Sequence, residues 1–193
     1  MRDTIRLATV LLTICVVTGG LLAVVHCVTQ ERIEANAELE AATLRAEALV
    51  GPGKSVQFGG AREVGCLVCY DGTVDGKPVG TVFTVTTGGY GGPIEILVGV
   101  DTSGEKITGV RITQHTETPG LGANVVQVKP GEEEPWFLKQ FRGLTAESVS
   151  LKASGGSIDA VTAATISSRA VTDAVREGFE EFVRAKKERT GVR

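Results

Sequence analysis

Residues 7 to 30 contain no Asp, Glu, Lys or Arg, and most of them are Leu, Val, Ile or Ala. As a helix this run is roughly 36 Å long at about 1.5 Å per residue, enough to cross a hydrocarbon layer about 30 Å thick. A secretory signal has a shorter apolar stretch, about 7 to 15 residues, and a small-residue cleavage site. Val24-Val25-His26-Cys27 offers neither an A-x-A pattern nor a lipoprotein signal. The reading is therefore an uncleaved anchor. Arg2 and Arg6 lie close before the run, whereas Arg32 and Arg45 after it are diluted among glutamates. That asymmetry favours a cytoplasmic N-terminus and an exported remainder.

Beyond the apolar run, the chain is long enough for one domain with a real core and marginal for two. With 20 Lys+Arg against 23 Asp+Glu, the 193-residue chain has a net charge of −3, which excludes a strongly basic nucleic-acid binder and a disordered acidic tail protein. The expected organisation is a cytoplasmic tip and transmembrane anchor over 1–30, a helical stalk over 31–53 and one domain over 54–193. Glu31 to Val50 is Ala-, Glu- and Leu-rich until Gly51-Pro52-Gly53 stops it. Strand-type runs come next at Val79 to Thr87, Ile94 to Asp101 and Ile107 to Thr113, the last two joined by a hairpin turn at Asp101-Thr102-Ser103-Gly104. Trp136 to Phe141 reads as a short helix after Pro135. Apolar residues at 166, 170, 171, 174, 175, 179, 182 and 183 have helical spacing, which predicts a final helix over about Ile166 to Lys187. The fold class is α+β, with a mixed or antiparallel sheet and flanking helices.

Three loops carry the candidate chemistry. Asp159-Ala160-Val161-Thr162-Ala163-Ala164-Thr165-Ile166-Ser167-Ser168-Arg169 enters the final helix. N–H groups in the first turn of a helix lack intrahelical partners and favour an anion. A phosphate at Thr165 would meet them, with the Ser167 and Ser168 hydroxyls in reach; equally, Thr165 is an N-cap and Asp159 a turn residue. His115-Thr116-Glu117-Thr118-Pro119-Gly120-Leu121-Gly122 follows a strand, and turn chemistry accounts for its Pro and Gly without a ligand. Gly88-Gly89-Tyr90-Gly91-Gly92-Pro93 joins two strand runs and leaves one ring, Tyr90, among glycines; the plain alternative is a flexible hairpin tip.

In combination, GYGGPI at 89–94, HTETPGLGA at 115–123 and DAVTAATISSRAV at 159–171 resemble one known family. It is the FMN-binding domain shared by RnfG of the Rnf electron-transport complex and NqrC of the sodium-pumping NADH:quinone reductase. With the single N-terminal anchor the match covers most of the chain, and the short soluble domain and the exact HTETPGLG reading look more like RnfG. The resemblance implies FMN attached through its phosphate as an ester to the last Thr of a D-x-x-[S/T]-G-A-T pattern by a separate flavin transferase. The matching acceptor is Thr165, with Asp159 and Thr162 in recognition positions and Ala164, Ser167 and Ser168 beside it. Glu117, Thr118, Leu121 and Gly122, with Tyr90, would lie along the flavin ring. Ala163 stands where the family usually has Gly, so flavin attachment here depends on Ala tolerating any positive φ the turn needs.

The function this implies is electron relay by a membrane-anchored flavoprotein, an electron-transfer component of an ion-translocating oxidoreductase, with the other Rnf subunits as partners. No catalytic residue of the chain and no metal is expected, because the flavin does the redox work. Rival readings are an FMN-binding sensor or regulator and an exported dithiol oxidoreductase resting on Cys66 and Cys69. The neighbours Val64, Leu67, Val68 and Tyr70 place that pair on a strand instead of a helix start. It reads as a structural pair, a disulfide, or ligands shared with another protein of the complex. His26 and His115 are too few and too far apart in sequence for a metal site. Arg184, Lys186, Lys187, Arg189 and Arg193 read as the solvated end of the last helix, where the dipole prefers cations.

Overall fold

The computed structural model describes residues 2–191. It separates into two compact units, Met1–Ala41 and Ala42–Arg193. In the first unit the chain is a single helix, part of α1 (Arg2–Val50). The segment Thr4–Gln30 is long and apolar enough to cross a membrane. Its threonines return their hydroxyls to the helix: Thr9, Thr13 and Thr29 donate to the carbonyls of Ile5, Thr9 and Val25 at 2.9, 2.8 and 2.7 Å. These side chains thus present methyl groups outward, which suits a hydrocarbon environment.

The second unit is α+β. An antiparallel sheet is built from β1 (Gln57–Phe58), β2 (Arg62–Val64), β3 (Leu67–Val74), β4 (Lys77–Gly88), β5 (Pro93–Val100) and β6 (Ile107–His115). Its order is β1-β3-β4-β5-β6, with β2 also paired to β3. The three expected strands are present with small shifts in their ends, and β1 to β3 add to them. Two helices complete the unit, the one-turn α2 (Trp136–Lys139) and the long α3 (Thr165–Thr190).

The sheet is packed on both faces. On one, α3 lays Val171, Val175, Phe179 and Phe182 into a core with Phe83, Ile96 and Val98, and the rings of Phe83 and Phe182 stack at 5.3 Å. On the other, the end of α1 brings Ala48 and Leu49 against Val82 and Leu97. Glycine makes that approach possible. A Cβ at Gly99 would overlap the Ala48 carbonyl oxygen, and one at Gly109 would sit 2.8 Å from it. Thr108 Oγ1 donates to the same carbonyl at 2.9 Å. Helix α1 ends at Val50, where Gly51 takes φ +86.

A charge chain centred on the buried Arg111 and Glu134 fixes this end of the helix. Glu47 accepts from Arg111 Nε at 3.1 Å, Arg111 Nη2 pairs with Glu134 Oε1 at 2.9 Å, and Arg142 Nη2 pairs with the same oxygen at 2.9 Å. Burial alone would raise the Glu134 pKa. The Arg111 charge, then hydrogen bonds from Arg111 and Arg142, outweigh it and hold the carboxyl below its ordinary value.

The two domain cysteines separate. Cys66 lies in the tight turn between β2 and β3, exposed, while Cys69 is buried in the core; both are free thiols. Burial pushes the Cys69 thiol up to about 11, so it stays protonated and is no thiolate nucleophile. The basic tail differs from expectation at one residue. Lys186 is not merely solvated: its Nζ donates to the Thr102 and Ser103 carbonyls at 3.2 and 2.7 Å and ties α3 to the β5–β6 turn. Arg193 lies outside the described residues.

Candidate flavin site

The three motif loops meet at the N-terminus of α3, and one buried carboxylate joins them. Glu117 is 5% exposed. Its Oε1 accepts the Gly91 N–H at 3.1 Å and its Oε2 accepts the Ser167 hydroxyl at 2.8 Å. One oxygen therefore holds the glycine-rich hairpin and the other holds the first turn of α3. The glycines on either side leave room for it, since a Cβ at Gly89 or Gly122 would overlap the carboxylate. This is why the flanking loops are glycine-dense: the chain must pass close to a charged group whose two oxygens are both hydrogen-bonded inside.

The α3 N-terminus is open. Ala164, not Thr165, is the N-cap; it offers no side-chain cap, and Thr165 is the first helical residue with its side chain exposed. The Ser168 N–H donates to the Ala164 carbonyl at 2.9 Å, but the N–H groups of Thr165, Ile166 and Ser167 have no partner among the described residues. Three orphan donors and the positive end of a 26-residue helix thus surround the Thr165 hydroxyl. The chain reaches this geometry through Ala163 at φ +62, a left-handed conformation that costs a non-glycine residue about 1 kcal/mol. The position where the motif has Gly is the one that needs positive φ, and Ala adopts it.

The serine hydroxyls do not point to the helix mouth. Ser167 is spent on Glu117, and Ser168 Oγ accepts the Val161 N–H at 2.9 Å from within the core. This corrects the expectation that both hydroxyls lie in reach of a phosphate at Thr165: buried partners more than a residue or two away set their rotamers. Ser167 offers its N–H to that spot, while the Ser168 side chain is fully buried.

Beside Thr165 lies a cleft of about 340 Å³ lined by Tyr90, Leu121, Gly122, Ala163, Ala164 and Ile166 among others. That is within the range of about 300 to 1,000 Å³ in which small-molecule sites fall. Tyr90 is 70% and Ile166 58% exposed, unusual for large apolar side chains gathered in one place. Thr118 stays at the surface, its carbonyl accepting the Leu121 and Ala123 N–H groups. Asp159 does not line the cleft. Gln140 clamps its backbone through bonds of 2.8 and 3.2 Å, and Lys152 Nζ pairs with its carboxylate at 2.7 Å. Gln140 and Lys152 carry no motif signal, and only the fold reveals them. Thr162 is exposed between Asp159 and Thr165 in sequence. No group of three or more metal-ligating side chains occurs among the described residues.

The donor set suits FMN: a threonine hydroxyl, unpaired N–H groups for phosphate and an apolar cleft for a ring. Comparison with known proteins agrees. Residues 89–180 match the FMN-binding domain family, and residues 1–47 match the RnfG N-terminal region. The chain is 38% identical over 116 residues to the G subunit of the ion-translocating oxidoreductase complex of Methanosarcina acetivorans, covering 59% of this chain and 58% of that one. It is 38% identical over 108 residues to the G subunit of the proton-translocating ferredoxin:NAD(+) oxidoreductase complex of Clostridium ljungdahlii, covering 54% of each. The matched stretch thus spans little more than half the length of these curated relatives. Among solved structures, NqrC of Shewanella oneidensis superposes with a TM-score of 0.49 at 24% identity, over 62% of this chain and 61% of that one. The FMN-binding domain match lies on strands β5 and β6 and most of α3, and the match to the RnfG N-terminal region lies on α1.

Proposed function

We propose that the chain is a membrane-anchored flavoprotein that carries FMN as a phosphoester on Thr165 and relays electrons within an Rnf-type ion-translocating oxidoreductase. The observation that carries this reading is the exposed Thr165 hydroxyl at a helix start with three unpartnered N–H groups, opening onto a cleft beside the glycine-rich hairpin and the Pro/Gly loop. In this reading residues 1–30 are the cytoplasmic tip and anchor, and the domain lies outside the cytoplasm in company with the other subunits. The relatives' names, each a G subunit of an oxidoreductase complex, support the company of other subunits.

When bound, FMN supplies the electron-transfer chemistry. The chain supplies position. Thr165 Oγ would carry the phosphate, and the N–H groups of Thr165, Ile166 and Ser167 would hold its remaining charge. Tyr90, Leu121 and Ile166, which line the cleft, would offer apolar surface to the ring. Glu117 keeps the two loops and the helix start in register. Asp159 and Thr162 form the face read by a separate flavin transferase, with Lys152 and Gln140 holding Asp159 in place.

Co-production with a flavin transferase tests the reading. The wild-type band should fluoresce after denaturing electrophoresis, and Thr165→Val, nearly isosteric, should be dark while folding normally. A dark wild type in the presence of an active transferase would overturn it.

A further inference from the structure

Helix α3 and the sheet enclose a second space, larger than the flavin cleft and meeting it at Thr165. Strand β3 pairs with β4 only as far as Val68 opposite Thr84, while β4 continues to Gly88 against β5. The second edge of residues 85–88 therefore has no strand beside it, and it faces a groove of about 750 Å³. On that side β4 has no register partner beyond Thr84 among the described residues. The turn at Cys66, whose N–H donates to Glu181 Oε1 at 3.0 Å, closes one end. Helix α3 forms the opposite wall. Such an edge, about 13 Å long at 3.3 Å per residue, is a template for an added strand, because its N–H and C=O groups pair with any extended main chain.

The helix wall supplies direction. Arg169, Asp173, Glu177 and Glu181 follow one another along the groove. A Cβ on Gly178 would overlap Val85, so the acidic part of the wall lies at the start of the free edge, while Thr165 and Arg169 lie toward Gly88. Arg176 touches Asp173 at 3.5 Å and Glu177 at 4.0 Å, but these pairs are exposed and weak, and Arg176 does not line the groove. Every strand pairing in the sheet is antiparallel.

We propose that this groove receives an extended segment of a partner polypeptide as an added antiparallel strand beside residues 85–88. The segment carries an acidic residue at its N-terminal end, facing Arg169, and a basic residue at its C-terminal end, facing Asp173 and Glu177. Docked there, the partner's main chain reaches the Thr165 end of the groove. The proposal is independent of whether Thr165 carries a flavin.

Two peptides of identical composition test it, acetyl-Asp-Val-Thr-Val-Lys-amide and acetyl-Lys-Val-Thr-Val-Asp-amide, added at millimolar concentration to the full chain in lipid nanodiscs. Hydrogen exchange of the amides of residues 85–88 is followed by mass spectrometry. The first peptide should slow exchange at least tenfold relative to the second, and a fully N-methylated version should have no effect. Asp173→Lys combined with Glu177→Lys, both at the surface, should abolish the preference for the first peptide. Equal slowing by both peptides, no slowing by either, or slowing that survives N-methylation would overturn the proposal. Slowing that rises with protein concentration and without peptide would overturn it in favour of a second copy of the chain.

Discussion

Both carboxylate oxygens of Glu117 are engaged, one by each side of the site, and the consequence is measurable. Glu117→Leu keeps roughly the bulk but removes both acceptors, leaving the buried Gly91 N–H and Ser167 hydroxyl unpaired. The expected loss is about 1 to 3 kcal/mol, read as a lower urea midpoint with an unchanged slope. Ala163 works in the opposite direction. Glycine relieves the left-handed strain at φ +62 and gives back part of the gain through a freer unfolded chain, so Ala163→Gly should stabilise the domain by about 0.5 to 1 kcal/mol. An unchanged or lower midpoint would mean that the turn is unstrained. The need for positive φ at 163 was readable from a motif. The inward rotamers of Ser167 and Ser168 were not, because Glu117, which fixes one of them, lies 50 residues upstream. The cysteines divide likewise: iodoacetamide should label Cys66 in the folded domain and leave Cys69 unmodified, since burial both covers that thiol and keeps it protonated.

At the level of elements, periodicity served well where an element was long. Strands β4 to β6 and helix α3 each present a regular apolar pattern to a core, so local sequence marks them. The two- and three-residue strands β1 and β2 are too short for any period and exist by pairing with β3. The docking of α1 on the sheet was equally hidden. It depends on glycines from separate strands lying under one helix carbonyl, a coincidence in space with no local signal. Gly99→Ala places a methyl on the Ala48 oxygen, and neither backbone can give way. It should cost about 1 to 3 kcal/mol or more, whereas alanine at Gly131, with open space around it, meets no such overlap and pays only for its positive φ. If both changes had the same small effect, the close approach would not be a determinant of the packing.

Across the whole molecule, the chain Glu47–Arg111–Glu134–Arg142 links the end of α1, the sheet and the segment before α2. Glu134 has a lowered pKa in the folded state, so its stabilisation is complete above the unfolded value, about 4.3, and is lost as pH falls through the lower folded value. The wild type should therefore lose stability below about pH 4.3 more steeply than Glu134→Gln, in thermal melts at matched ionic strength. Identical acid limbs would show that the pair contributes nothing to the pH dependence. The fold class was legible in the pattern of elements, and the meeting of three loops at one helix start only through the resemblance their motifs carry. The group they attach was legible only through resemblance, so the phosphoester at Thr165 is the claim most in need of a direct test. The decisive measurement is mass spectrometry of the tryptic peptide 153–169 from chain produced with an active flavin transferase. The expected result is a mass gain of one FMN less one water, with fragment ions placing it on Thr165 and no such gain in Thr165→Val. An unmodified wild-type peptide, or a modification that persists on Thr162, Ser167 or Ser168 in the variant, would contradict it.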